Sequence, residues 1–145
     1  MRLLIKDTAR ACQFAAMFEQ LGGKKFAELI VLRASPTGIY MQCVDGAKVC
    51  LFDAVLTREW FDEYEVPMLT EGEQRIGVVP RVMSSVLGTW RMGQSIELSA
   101  DDGCPDSIQV TLAGDSDQLD KFFKVQCVDA EAELHDLSGK PDSQI

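Results

Sequence analysis

An order of elements that runs twice limits what this chain can fold into more than any other feature of it. Residues 2–7 read as a short strand, and Thr8 is placed to cap a helix that runs to about Leu21, where Gly22 and Gly23 stop it. Ala11, Phe14, Ala15, Phe18 and Leu21 recur at three- and four-residue spacing, which predicts one apolar face; Arg10, Gln13, Gln20 and Lys24 fall on another. Three strand-like runs follow at 27–35, at 38–44 after a Pro36-Thr37-Gly38 turn, and at 48–57 after Asp45-Gly46. A connection at 58–64, a brief strand within 64–69 and a polar turn at 70–74 lead to a second start. There 75–79 reads as a strand, and Pro80 suits a first helical position, which needs no N–H donor. Val82, Met83, Val86, Leu87 and Trp90 form the second apolar stripe, with Arg81, Ser84, Ser85 and Gly88 opposite. Strands are expected at 94–100, 107–113 and 121–128, with Ile108, Val110 and Leu112 in strict alternation.

Two successive βαβββ runs predict an α+β fold: a duplicated unit whose two helices lie side by side beneath a curved antiparallel sheet. The length of 145 residues fits one such domain, and 46% hydrophobic content can bury its core. No run reaches the roughly 18 apolar residues of a membrane span, and the opening lacks the apolar core of a signal peptide, so no membrane partner and an intracellular protein are expected. The five cysteines are odd in number and widely spaced with no CxxC pair, which reads as reduced, mostly buried thiols and no metal clip.

The net charge of −9 argues against gripping nucleic acid over the whole surface, because phosphate binding rests on clustered cations. The charge is uneven. Residues 1–33 hold six basic residues and three acids, whereas 94–145 hold twelve acids and three lysines. Both predicted helices are poor in acids: Glu19 alone from 8 to 21, and none from 80 to 91. Such a face is either an ordinary solvated surface or one that meets a polyanion. An enzyme is not indicated. His135, the single histidine, sits in an acidic tail, and no phosphate loop, HExxH or paired-carboxylate motif is present.

The stretch GIYMQCVDGAKVCLFDAVLTREWFDEYEV, residues 38–66, resembles the early strand pair and loop of proliferating cell nuclear antigen, with Gly38, Gln42, Val44, Asp45, Val49, Leu51, Phe61, Asp62 and Tyr64 matching. IGVVPRVMSSVL (76–87) and IELSADD (96–102) are similar to the family's second helix and the strand after it. CVDAEAELHDLSGKPDSQI (127–145) resembles the acidic connector between the two domains of a subunit. The resemblance implies a clamp domain over 1–126 and a connector-like tail over 127–145, about half of a family subunit, and a first domain cut after its linker is the expectation.

As a family member the chain would serve as a DNA polymerase processivity factor: a sliding clamp, with no cofactor and no catalytic residue, that encircles double-stranded DNA without sequence preference. It would work in replication and repair, in a nucleus or in a viral replication compartment. Expected partners are DNA polymerase, the clamp loader and other proteins carrying clamp-binding peptides, with self-association into a ring when a second domain is present. A checkpoint-clamp subunit and a monomeric processivity factor are the alternative readings.

By resemblance Arg10, Lys24, Lys25, Arg81 and Arg91 face DNA, although Lys24 and Lys25 read equally as a solvated loop. Ser85 and Gly88 stand where relatives often carry lysines, which implies a weakened positive field. Val44, Asp45, Lys48 and Leu51, with Leu134 and Leu137 from the connector, are expected to form the partner-peptide groove, with plain core as the other reading of Leu51. The edge strand at 121–128 is expected at the ring interface through Phe122, Phe123 and Lys124. Phe123 aligns with an aromatic residue of the family's subunit contact. One phenylalanine of the pair is core; the other is an interface anchor or packs against the second helix.

Overall fold

The computed structural model describes residues 1–22, 27–45, 50–66, 74–101, 106–114 and 119–128. Both runs are present. The first is β1 (Arg2–Ile5), α1 (Thr8–Gly22), β2 (Ala27–Ser35), β3 (Gly38–Asp45) and β4 (Cys50–Thr57). The second is β6 (Gln74–Val78), α2 (Pro80–Leu87), β7 (Ser95–Ser99), β8 (Ser107–Ala113) and β9 (Lys121–Gln126). Between them lie a single 3-10 turn, Arg58–Trp60, and the three-residue β5, Glu63–Glu65.

The α+β duplicated architecture is the expected one, and its strand layer is divided into two antiparallel sheets. One has the order β5-β1-β7-β8-β9 and the other β4-β3-β2-β6. Each sheet therefore takes its first-run or second-run opening strand from the other half. β1 lies against β7, Leu3 opposite Leu98 and Ile5 opposite Ile96; β6 lies against β2, Ile76 opposite Leu32 and Val78 opposite Ile30. All eight of these side chains are buried, so the exchange of strands runs through the middle of the core.

Alternation decides which side of each strand meets the helices. Ile108, Val110 and Leu112 are fully buried, as their spacing predicts. Ala11, Phe14, Ala15 and Phe18 on α1, and Met83, Val86 and Leu87 on α2, complete one contiguous cluster, with α1 and α2 packed against each other. Phe14 and Phe18 meet at 5.1 Å between ring centroids, and a ring series continues through Trp60 and Phe61 to Tyr64.

Three details differ from the sequence reading. The cap of α1 is Asp7 rather than Thr8: its carboxylate accepts the Arg10 N–H at 3.1 Å and its carbonyl the Ala11 N–H at 2.8 Å. Both residue types cap helices, and the i to i+3 geometry selects the earlier one. Val82 is 43% exposed and lies outside the apolar stripe, because Met83, Val86 and Leu87 suffice to cover the neighbouring helix. Of the cysteines with described side chains, Cys43 is buried and Cys127 half-buried, while Cys12 is exposed because it follows Ala11 round to the solvent side of α1.

Candidate functional surfaces

The two helices present one solvent side with little charge. On α1 it consists of Ala9, Cys12, Gln13, Ala16, Glu19 and Gln20; α2 adds Arg81, Val82 and Ser85. Two of the expected cations are tied to backbone. Arg10 is half-buried, and its Nη1 donates to the Trp60 carbonyl at 3.1 Å. Arg91 is exposed and folds back on the end of α2, donating to the Gly88 and Trp90 carbonyls at 3.2 and 3.0 Å, a cation placed where the helix dipole is negative. Arg81 is exposed in the first turn of α2. Lys24 and Lys25 lie outside the described residues.

A Cβ at the exposed Gly88 would stand 2.9 Å from the Ser84 carbonyl oxygen of its own helix and 3.3 Å from Glu19 Oε1 of α1. The Glu19 carboxylate occupies the place beside it, and a lysine at this position would have to displace it.

The expected peptide groove falls on β3 and β4. Val44 pairs with Cys50 across a register shift that follows Cys43, and Asp45 pairs with Ala27. Val44, Asp45 and Leu51 thus lie at neighbouring ends of adjacent strands, with their side chains outside the description; Lys48, Leu134 and Leu137 lie outside the described residues. Along the same strands Gln42 is half-buried, with its Oε1 lacking a hydrogen-bond partner among the described residues.

Among the described residues β9 pairs with β8 alone and is an edge of the five-stranded sheet. Phe123 stands opposite Val110 and packs against the core, whereas Phe122 stands opposite Thr111 and is 74% exposed; Lys124, opposite Gln109, is exposed. The exposed aromatic of the pair is therefore Phe122. Two further apolar side chains were missed in the sequence: Leu119, just before β9, at 83% exposure, and Met92, in the loop between α2 and β7, at 76%. The Gln94 side-chain amide donates to the Leu119 carbonyl at 3.3 Å, which joins the two loops. A single leucine within a polar turn was the available signal.

The opposite edge of that sheet, β5, is held by polar links. Arg2 donates to Glu63 at 2.7 Å and to Glu97 at 2.9 Å, and the guanidinium holds the Glu63 carboxyl below its ordinary range. Tyr64 donates its hydroxyl to the Ser35 carbonyl, and burial pushes its pKa up to about 12. Burial, with Asp106 nearby, also raises the Cys127 thiol. Among the described residues, no three of His, Cys, Asp and Glu come together to hold a metal ion.

Comparison with known proteins agrees with this geometry. The family model described as proliferating cell nuclear antigen, N-terminal domain, matches residues 11–134. DNA polymerase sliding clamp 1 of Sulfurisphaera ohwakuensis and that of Sulfurisphaera tokodaii are each 28% identical over 105 residues, covering 72% of this chain and 39% of theirs. The crystal structure of a PCNA2-PCNA3 complex from Sulfolobus tokodaii superposes with a TM-score of 0.70 at 26% identity, over 90% of this chain and 48% of that one. PCNA from Thermococcus kodakaraensis gives 0.71 at 25% identity, over 90% and 47%. The chain thus spans less than half the length of these relatives. With two βαβββ runs, paired helices and a family match over most of its length, the chain belongs to the PCNA N-terminal domain family of sliding clamps.

Proposed function

We propose that the chain supplies one domain of a ring that encircles duplex DNA, holds a DNA polymerase to its template, and recruits polymerase, clamp loader and repair proteins through their clamp-binding peptides. The observation that carries this reading is the paired-helix face, nearly free of acids in a chain of net charge −9 and edged by Arg10, Arg81 and Arg91. Each phosphate neutralised by a cation releases counterions and adds affinity, so a face with three arginines attracts duplex without gripping it. Contacts limited to phosphate carry no sequence information, which suits movement along DNA. Retention then comes from closure of the ring. The edge of β9, unpaired among the described residues and with Phe122 exposed upon it, supports strand addition by a neighbouring unit as the means of closure.

The test is charge reversal on the helix face. Arg10→Glu with Arg81→Glu should leave the weak equilibrium binding of the 145-residue chain to linear duplex nearly unchanged at physiological salt. In an assembled ring the same pair should impair processive synthesis. Arg81→Glu alone, which spares the Arg10 bond to Trp60, should show the same division in smaller measure. Full polymerase stimulation by the charge-reversed ring would take the helices away from the duplex.

A further inference from the structure

We propose that the edge of β9 on one copy of the chain pairs antiparallel with the edge of β4 on a second copy, head to tail, with Phe122 opposite Val55 and Lys124 opposite Asp53. The inference rests on the reading of β9 as a closing edge and names the partner of that edge.

Each sheet ends in one long open strand. β9 ends the five-stranded sheet and β4 the four-stranded one, each with a single neighbour among the described residues. The other two ends offer less: Gly77 of β6 accepts the Val128 N–H at 2.9 Å, and β5 is three residues long.

Backbone direction decides what an edge can bind. In an antiparallel ladder, successive residues turn their N–H and C=O groups to opposite neighbours. The Cys127 N–H goes to the Asp106 carbonyl on the β8 side at 2.8 Å, so Phe122, Lys124 and Gln126 turn theirs to the open side. The Arg58 N–H goes to the Thr37 carbonyl at 2.9 Å, which makes Gly38 and Thr57 a pair with no hydrogen bond between them. Asp53, Val55 and Thr57 therefore turn their backbone groups away from β3. The side chains of these six residues are exposed, whereas Ala54, Leu56 and Phe123 pack against the core and Val125 is buried.

One antiparallel register satisfies backbone and side chains together. With Phe122 opposite Val55, which are 74% and 64% exposed, Lys124 falls opposite Asp53, and Phe123 meets the small Ala54 on the core side. Both outer pairs are then of the kind that exchanges two N–H···O bonds. An apolar pair and an opposite-charge pair each stabilise such a contact. Asp53 is already oriented, since its Oδ2 accepts the Tyr40 hydroxyl at 2.6 Å and its Oδ1 remains for the ammonium. No parallel alignment yields both pairs, because Phe122 precedes Lys124 while Val55 follows Asp53. A twofold contact of β9 with β9 would leave every β4 edge bare. Head-to-tail pairing covers both edges and leaves one of each at the ends of an open assembly, which grows until a ring closes.

Sedimentation velocity of the 145-residue chain over a range of concentrations tests this. The sedimentation coefficient of the parent should rise with concentration. Lys124→Pro and Val55→Pro each remove one outward N–H and no hydrogen bond within the domain, so circular dichroism should report a folded protein. Each variant alone should sediment as a monomer. An equimolar mixture of the two should form a heterodimer that grows no further, since each brings one intact edge. Lys124→Glu should weaken self-association about threefold to tenfold at low salt, and Asp53→Lys added to the same chain should restore it.

A Val55→Pro chain that dimerises by itself would overturn the head-to-tail order in favour of the twofold contact. A parent that stays monomeric throughout would overturn the pairing of copies. Lys124→Pro in the assembled ring then separates the two readings: loss of the ring keeps β9 as a closing edge against a different domain, and an unaffected ring removes the closing role of β9 as well.

Discussion

Helix α1 starts from Asp7, whose side chain accepts an N–H of the first turn, and continues for 15 residues; α2 starts from Pro80 with no side-chain cap and lasts 8. The strands differ in the same sense, with 9, 8 and 8 residues in β2, β3 and β4 against 5, 7 and 6 in β7, β8 and β9. An isolated helix of two turns is not stable in water. α2 persists because Pro80, Met83, Val86 and Leu87, half its residues, are buried against the rest of the molecule. The first half thus carries more of its order in local interactions, and the second depends on what it packs against.

The largest expected effect tests whether this local difference survives in global stability. Leu32→Ala in the four-stranded sheet and Leu98→Ala in the five-stranded sheet each remove a buried side chain, and each should cost about 2–5 kcal/mol. Because the sheets exchange strands, both variants should unfold in one transition. Urea denaturation followed through Trp60 alone and Trp90 alone, using single-tryptophan versions, reports on the two halves separately. A second half that melts first in either variant would break the idea of a single cooperative unit.

A smaller effect is expected at the helix starts. Asp7→Ala should cost about 1 kcal/mol, the usual value of a side-chain cap. Pro80→Ala should cost about half as much, since it mainly frees the unfolded chain. A larger loss at Pro80 than at Asp7, measured in the same denaturant titration, would reverse the assignment of local support to the first half.

The smallest effect concerns β5, which lies outside both runs. Tyr64 there reaches the Ser35 carbonyl at the end of β2 and so ties the five-stranded sheet to the four-stranded one. Tyr64→Phe should cost about 1 kcal/mol or less at neutral pH. The neutral phenol is favoured in the fold, with its pKa raised from 10.0 to about 12. Its contribution is therefore complete below pH 10 and lost as pH rises toward 12. The phenylalanine variant should show a shallower alkaline decline in stability, and an identical decline would remove Tyr64 as its source.

Periodicity made the elements legible and left their partners hidden. Ile108, Val110 and Leu112 announce a strand with one buried face, and Pro80 announces a helix start, because each signal is local. That β1 pairs with β7 and β6 with β2 is a matter of register between segments far apart in the chain, which no alternation encodes. The same limit applies to function. Spacing put Arg10 and Arg81 on the polar faces of their helices, while a part for them and for Arg91 at DNA came only from the resemblance; the exposure of Phe122 rather than Phe123 followed only once Val110 was seen opposite Phe123.

The exchange of opening strands also says what a single βαβββ run would be if it stood alone. Its three consecutive strands would form a sheet with an empty place beside the innermost one, and its own first strand would have no partner within reach. Two identical copies could satisfy each other by trading that strand, each filling the other's vacancy about a twofold axis. The present chain holds both members of such a reciprocal pair in one polypeptide, so the relation that would otherwise depend on protein concentration is made permanent by the peptide bonds between Thr57 and Gln74.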